Sequence, residues 1–103
     1  MVAQAELWMM ETPNRKRRPV LIVSRDEAIP LLNNVVVAPV TSTIRPIPTC
    51  IPVGAEQGID HDSVATFDNL AAVPKSVLTR RLGRLGVEGR RQICRALEAM
   101  ANC

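Results

Sequence analysis

Four consecutive basic residues, Arg15, Lys16, Arg17 and Arg18, run into four consecutive β-formers, Val20, Leu21, Ile22 and Val23, with only Pro19 between them. An apolar run with no polar break reads as a strand covered on both faces, and Pro19, lacking an N–H, suits that strand's first position. The spacing therefore predicts a strand over residues 18–24 with Arg18 at its mouth, where rigid scaffold meets loop. An arginine placed there is held more tightly than one on a free loop.

The rest of the chain is cut into short pieces, with eight prolines and five glycines. Residues 5–11, which include Leu7, Trp8, Met9 and Met10, read as a preceding strand that ends at the turn signal Thr12-Pro13-Asn14. Residues 26–29 predict one helical turn stopped by Pro30, and Asn33-Asn34 marks a further turn. The second strong strand covers residues 35–43, and Pro39 inside it predicts a local break in pairing, because proline is confined to edges and bulges. After it come a stiff proline-bounded loop over residues 44–48, a strand over 49–53, a mobile polar loop over 54–62 and a short strand over 63–67. Residues 72–76 predict a turn or short helix, and residues 79–85 a last strand projecting Arg80, Arg81 and Arg84. From Val87 to Ala101, Ile93, Leu97 and Met100 recur at helical spacing, with Cys94 and Ala101 alongside, so an amphipathic helix ends the chain. Trp8 and Phe67, the only two aromatic residues, are assigned to the core. Short strands closed by one helix predict a mainly β protein with a C-terminal helix, a small barrel forming a single domain over residues 1–103.

Several function classes drop out on composition. The longest uninterrupted apolar run covers only residues 35–40, against the roughly 20 residues needed to span a bilayer. Met1 to Met10 shows neither a basic leader nor a long apolar block, so a cytoplasmic protein without membrane association is expected. Cys50, Cys94 and Cys103 are odd in number and lack CxxC spacing, which predicts free thiols rather than a disulfide framework or a zinc site. No HExxH, paired-aspartate or glycine-rich phosphate motif occurs, so neither metal nor cofactor is expected. His61 is the only histidine and falls in the polar loop, where a lone imidazole is more often solvated than a base or a ligand. All but two of the thirteen Lys and Arg residues are Arg, the exceptions being Lys16 and Lys75, and the net charge is +3. Guanidinium groups grip phosphate through paired donors, but from net charge alone an arginine-rich bias with solvated surface charges is the favoured reading.

What remains is a phosphate-binding inventory. Arg18 stands at one strand start, Thr41, Ser42 and Thr43 at another strand end, and Arg45 and Thr49 around the proline loop. If the two strands pair antiparallel, the start of one lies beside the end of the next and Arg18 converges with Thr41. Taken from the residues alone, a second reading stays equally open: Arg18 as a surface charge and Thr41 to Thr43 as ordinary strand-edge residues.

At this point the chain resembles the MazF/PemK family of toxin endoribonucleases. The resemblance is carried by Arg18-Pro19-Val20-Leu21-Ile22-Val23-Ser24, Ala38-Pro39-Val40-Thr41-Ser42-Thr43-Ile44-Arg45, Pro48-Thr49, Asp62-Ser63-Val64, Phe67-Asp68-Asn69 and Val73-Pro74-Lys75-Ser76, in order over nearly the whole chain. It implies a homodimer of SH3-like β-barrels, of MazF/CcdB type, that cleaves single-stranded RNA without metal and is neutralised by a MazE-like antitoxin. The family's catalytic Arg and Thr fall on Arg18 and Thr41. The segment between Glu11 and Arg18 is shorter than in many relatives, and Pro46 stands where glycine is common, two departures that flank the groove.

Cleavage without metal is easiest when the ribose 2′-OH attacks its own phosphate, giving 2′,3′-cyclic phosphate and 5′-OH ends. Arg18 is expected to stabilise the developing charge, with proton delivery to the leaving oxygen as a further candidate role, and Thr41 to hydrogen-bond the phosphate; the acceptor of the 2′-OH proton is left unassigned. With so few aromatics, base choice falls to backbone and short polar groups, with Ser42, Thr43, Arg45, Thr49 and Asn69 as candidates. Messenger RNA is the expected substrate, with ribosomal and transfer RNA as further candidates. The rival readings are a CcdB-like toxin that poisons gyrase by protein contact and an RNA-binding barrel without turnover.

Overall fold

The computed structural model describes residues 1–101, so Cys103 lies outside the described residues. Seven strands and a terminal helix follow in order: β1 (Glu6–Thr12), β2 (Arg15–Ile22), β3 (Asn34–Thr41), β4 (Cys50–Val53), β5 (Ser63–Thr66), β6 (Ala71–Pro74), β7 (Leu78–Arg84) and α1 (Gly89–Ala101). All pairings are antiparallel, in the order β4-β5-β3-β2-β1-β7, with β6 added to β3. The sheet curls into a half-barrel, the mainly β, helix-closed architecture that the sequence predicts.

Strand alternation explains the two-sided burial of the apolar run. Leu21 and Val23 face the concave side, where they join Leu7, Ala38, Ala65 and Phe67 beneath Ile93 and Ala96 of α1. Val20 and Ile22 face the other side and pack with Ile29, Val35, Val37 and Leu78. Phe67 is the largest fully buried side chain. Residues of this size stabilise the fold by about 1.5–3 kcal/mol each on full burial.

Local structure departs from the sequence reading in several places, each for a tertiary reason. The basic run is not a loop leading to a strand mouth: β2 begins at Arg15, joined to β1 by the two residues Pro13 and Asn14. Arg18 lies inside that strand opposite Met10, and Pro19 lies opposite Met9 rather than at the strand's first position. Pairing with β1 overrides the weak β propensity of the charged residues. Residues 71–74 form β6 instead of a turn or short helix, because the upper half of β3 supplies a partner for a segment with little propensity of its own. The turn after it is present as a 3₁₀ turn over Lys75–Val77. Pro30 sits inside a 3₁₀ turn, Ile29–Leu31, near its start, where a missing N–H costs nothing.

The segment of residues 54–62 is anchored rather than mobile. It contains a 3₁₀ turn, Ala55–Gln57, and Ile59 is buried with its N–H donating to the Gly54 carbonyl at 3.1 Å. In α1 the buried face is Gly89, Ile93 and Ala96, while Cys94, Met100 and Ala101 are exposed. Pro39 behaves as expected on one edge of β3, where residues up to Val37 pair with β6 and residues from Val40 pair with β5. On the opposite edge Pro39 keeps its place across from Val20.

Candidate active site

The ladder between β2 and β3 is short. It joins Val20 to Pro39, Leu21 to Ala38 and Ile22 to Val37. Beyond Pro39, β3 pairs with β5 through Val40 and Thr41, while β2 continues with β1 alone through Arg18 and Arg15. The two strands therefore part, and a cleft opens between them. Carried two residues past Val20 and Pro39, the register sets Arg18 across from Thr41.

Three hollows meet at Arg18. One, of about 450 Å³, is lined by Arg18, Thr41, Thr43, Arg45, Asp68 and Asn69 among others. A second, of about 340 Å³, shares Arg18 and Thr41 and adds Ser42, Asp60 and His61. The third, of about 420 Å³, is lined by Arg15, Lys16, Arg17 and Arg18. A polyanion laid along the cleft would meet positive charge at both ends, from the β2 residues on one side and Arg45 on the other.

The electrostatics at the centre are simple. Arg18 is exposed and has no ion-pair partner among the described residues, in contrast to Arg17, 4.0 Å from Glu11, and Arg81, 2.8 Å from Glu6. Its five guanidinium donors are thus available to an incoming anion. Thr41 is half-buried, and its Oγ1 accepts the Thr43 N–H at 3.2 Å. That bond fixes the oxygen and leaves the hydroxyl proton free to donate outward. On the far wall, the Thr49 hydroxyl donates to Asp68 Oδ2 at 2.8 Å and holds that carboxylate beside Asn69.

Of the residues singled out from sequence, Arg18, Thr41, Thr43, Arg45 and Asn69 share one hollow, and Ser42 joins Arg18 and Thr41 in the second. Thr49 is not among them: it is buried beneath Asp68 and acts on the cleft through that carboxylate. Asp68, Asp60, His61, Arg15 and Lys16 are additional lining residues. For the loop residues a signal was present in Ile59, an apolar side chain in a polar segment, which ties the loop to the core. Trp8 is half-buried with its Nε1 donating to Glu6 at 3.0 Å, and Phe67 has no solvent exposure, so neither offers a stacking face in the cleft. Among the described residues no three His, Cys, Asp or Glu side chains come together as a metal-holding group. Nor is any described helix long and apolar enough to cross a membrane.

A curled antiparallel half-barrel, capped by one helix and split around a threonine hydroxyl and an arginine without an ion pair among the described residues, defines a small β-barrel with a basic cleft. The chain belongs to the PemK-like, MazF-like toxins of type II toxin-antitoxin systems, whose family model matches residues 3–101. It is 41% identical over 104 residues to a probable endoribonuclease, MazF5 of Mycobacterium tuberculosis, with 98% of this chain and 94% of that protein covered. Endoribonuclease MazF3 of the same species is 44% identical over 70 residues, 68% of each chain. Among solved structures, the Mycobacterium tuberculosis toxin MazF-mt6 superposes with a TM-score of 0.84 at 33% identity, covering 94% of this chain and 96% of the other.

Proposed function

We propose that this chain is the toxin of a type II toxin-antitoxin pair and cuts single-stranded RNA in the cytoplasm as a homodimer, so that translation and growth stop. The convergence of Arg18 and Thr41 across the parted strands carries this reading. The names of the relatives as endoribonucleases support it. A gyrase-poisoning barrel has no need of Arg18 and Thr41 converging. The salt-bridged, buried Arg18 expected of a merely RNA-binding barrel is not what the described residues give, since Arg18 is exposed and without an ion pair among them.

The chemistry follows from the groups present. The 2′-oxygen attacks the adjacent phosphorus, the P–O5′ bond breaks, and the products are a 2′,3′-cyclic phosphate and a 5′-OH. Charge builds on the phosphorane oxygens in between. A guanidinium donates to both non-bridging oxygens at once, and the Thr41 hydroxyl, its oxygen already held by Thr43, adds a second donor to one of them without reorganising. Because Arg18 stays protonated, it acts on charge and not as a base. Ser42, Thr43, Arg45 and Asn69 line the path of the flanking nucleotides and set base choice through hydrogen bonds. An antitoxin segment of acidic and apolar character suits the same basic cleft and would inhibit by competing with RNA.

Digestion of a long single-stranded RNA in excess EDTA, beside an Arg18→Ala control, tests the reading. Discrete fragments with cyclic phosphate ends are expected from the natural chain, with a loss of about 1000-fold in the control, the effect of removing one fixed transition-state donor. Intact RNA across diverse sequences, or equal cutting of the DNA counterpart, refutes it.

A further inference from the structure

We infer that His61 accepts the 2′-OH proton in the cleavage step, an inference that rests on the ribonuclease reading above. Arg18 and Thr41 provide charge and a hydrogen bond, and the reaction still needs a base. The hollow of about 340 Å³ that both residues line also contains the chain's one imidazole.

The backbone beneath that imidazole is fixed. On the N-terminal side, Ile59 is buried at 6% exposure, and Gly58, at φ +79°, packs directly on the Leu82 carbonyl of β7. On the C-terminal side, the Ser63 hydroxyl donates to the His61 carbonyl at 2.9 Å. Ser63 itself opens β5, whose Val64 pairs with Thr41. His61 is thus tied to the strand that carries Thr41, while its exposed side chain makes no hydrogen bond or ion pair among the described residues. A side chain with a fixed root and an uncommitted ring beside two phosphate-binding groups is built like a base awaiting its substrate.

The charged neighbours are few. Arg18 of β2 and Asp60 of the same loop line the hollow, and β1, β3 and β5 contribute only uncharged side chains to it. Asp62 lines the neighbouring groove, with Oδ1 beside Gly54. Imidazole is preferred to Asp60 as the base because a neutral imidazole nitrogen is a stronger proton acceptor than a carboxylate. In the step itself, a neutral imidazole nitrogen takes the 2′-OH proton as the 2′-oxygen bonds to phosphorus. The P–O5′ bond breaks, the 5′-oxygen takes a proton from water, and the imidazolium gives its proton to the hydroxide so formed.

The test is a pH profile of kcat/KM on a short RNA with one mapped cleavage site, for the natural chain, His61→Ala and His61→Asn. Thermal unfolding of each protein and binding of the 2′-deoxy oligonucleotide are measured alongside. The natural chain should lose activity tenfold per pH unit on the acid side of imidazole titration. Both variants should fall roughly 100-fold at pH above neutrality, lose that acid limb and keep binding and unfolding temperature, and added imidazole should restore part of the His61→Ala rate. Variants within about threefold of the natural chain, or an acid limb that survives in them, overturn the role of His61 alone. So does loss of an alkaline limb instead, which would make His61 an acid. A natural chain that cuts no RNA overturns the ribonuclease reading and this role with it.

Discussion

Gly58→Ala offers a severe check on how the cleft is held. Gly58 ends the turn Ala55–Gln57 in the left-handed region, at φ +79°, with its N–H on the Ala55 carbonyl at 3.1 Å. An added Cβ would lie 2.1 Å from the Leu82 oxygen and 2.8 Å from the Leu82 carbonyl carbon. These are backbone atoms of β7 at a register shift, where Leu82 has no partner of its own in β1 but is flanked by Gly83 opposite Leu7 and Arg81 opposite Trp8. The left-handed backbone alone costs alanine about 1–2 kcal/mol. The clash adds to it until lifting the loop becomes easier than staying docked, and docking is worth the burial of Ile59, about 2 kcal/mol. Because lifting relieves the strain as well, the total is capped at about 2 kcal/mol, which for this chain length lowers Tm by about 9 °C. Gly86→Ala is the matched control, since no heavy atom lies within 4 Å of its added Cβ and its φ is not positive; its effect should stay within about 0.5 kcal/mol. Differential scanning calorimetry measures both. A loop that lifts also carries His61 away from Arg18, so RNA cutting by Gly58→Ala should fall more than RNA binding. A Tm loss no larger than that of Gly86→Ala would refute the packing argument. A large loss with full activity would refute the link from this loop to the cleft.

Other outcomes follow from the same geometry. Thr41→Val keeps the shape of the side chain and removes its donor, so kcat/KM on RNA should drop by about 10²–10³ with a near-normal Tm, because the released Thr43 N–H is exposed to water. The double variant Arg15→Gln/Lys16→Gln should leave kcat near that of the natural chain and weaken RNA binding. It should also flatten the plot of log binding constant against log salt by about 1.4, two phosphate contacts at about 0.7 each on a single strand. Fluorescence anisotropy across a salt series measures that slope, and an unchanged slope would remove these residues from the RNA path.

Much of the fold was legible because its strongest strand carries its environment in its sequence. Val20 to Val23 has no polar alternate, and the structure divides it between two apolar clusters. Convergence of Arg18 with Thr41 was legible only as one of two open readings, conditional on antiparallel pairing, and it holds with Arg18 inside β2 rather than at its mouth. What stayed hidden depended on contacts distant in sequence. β6 is a strand because β3 pairs with it, and its Ala71, Ala72 and Pro74 say nothing of the kind. Thr49 looked like a cleft residue by position, yet its hydroxyl is committed to Asp68, nineteen residues away. The loop holding His61 looked mobile because eight of its nine side chains or glycines are small, polar or charged, and one buried isoleucine decides its position.

The partner exchange along one edge of β3 ties these features together. That edge pairs with β6 up to Val37 and with β5 from Val40, so two residues, Ala38 and Pro39, bridge the exchange. A proline there presents one fewer N–H to satisfy at the point where partners change. On the opposite edge the ladder to β2 stops at the same place, at Val20 and Pro39. Past it, the facing edges of β2 and β3 no longer bond to each other, and their backbone groups border the cleft along with Arg18 and Thr41. With Phe67 sealed in the core and Trp8 outside the cleft lining, neither aromatic side chain meets a base there, and under the RNA-cutting reading base selection would fall to those strand edges and the side chains beside them. Selectivity then depends on how far apart the two edges stand. Substitutions that extend the β2–β3 ladder would narrow the cleft itself, whereas changes at Ser42 or Thr43 alter only single contacts along its rim.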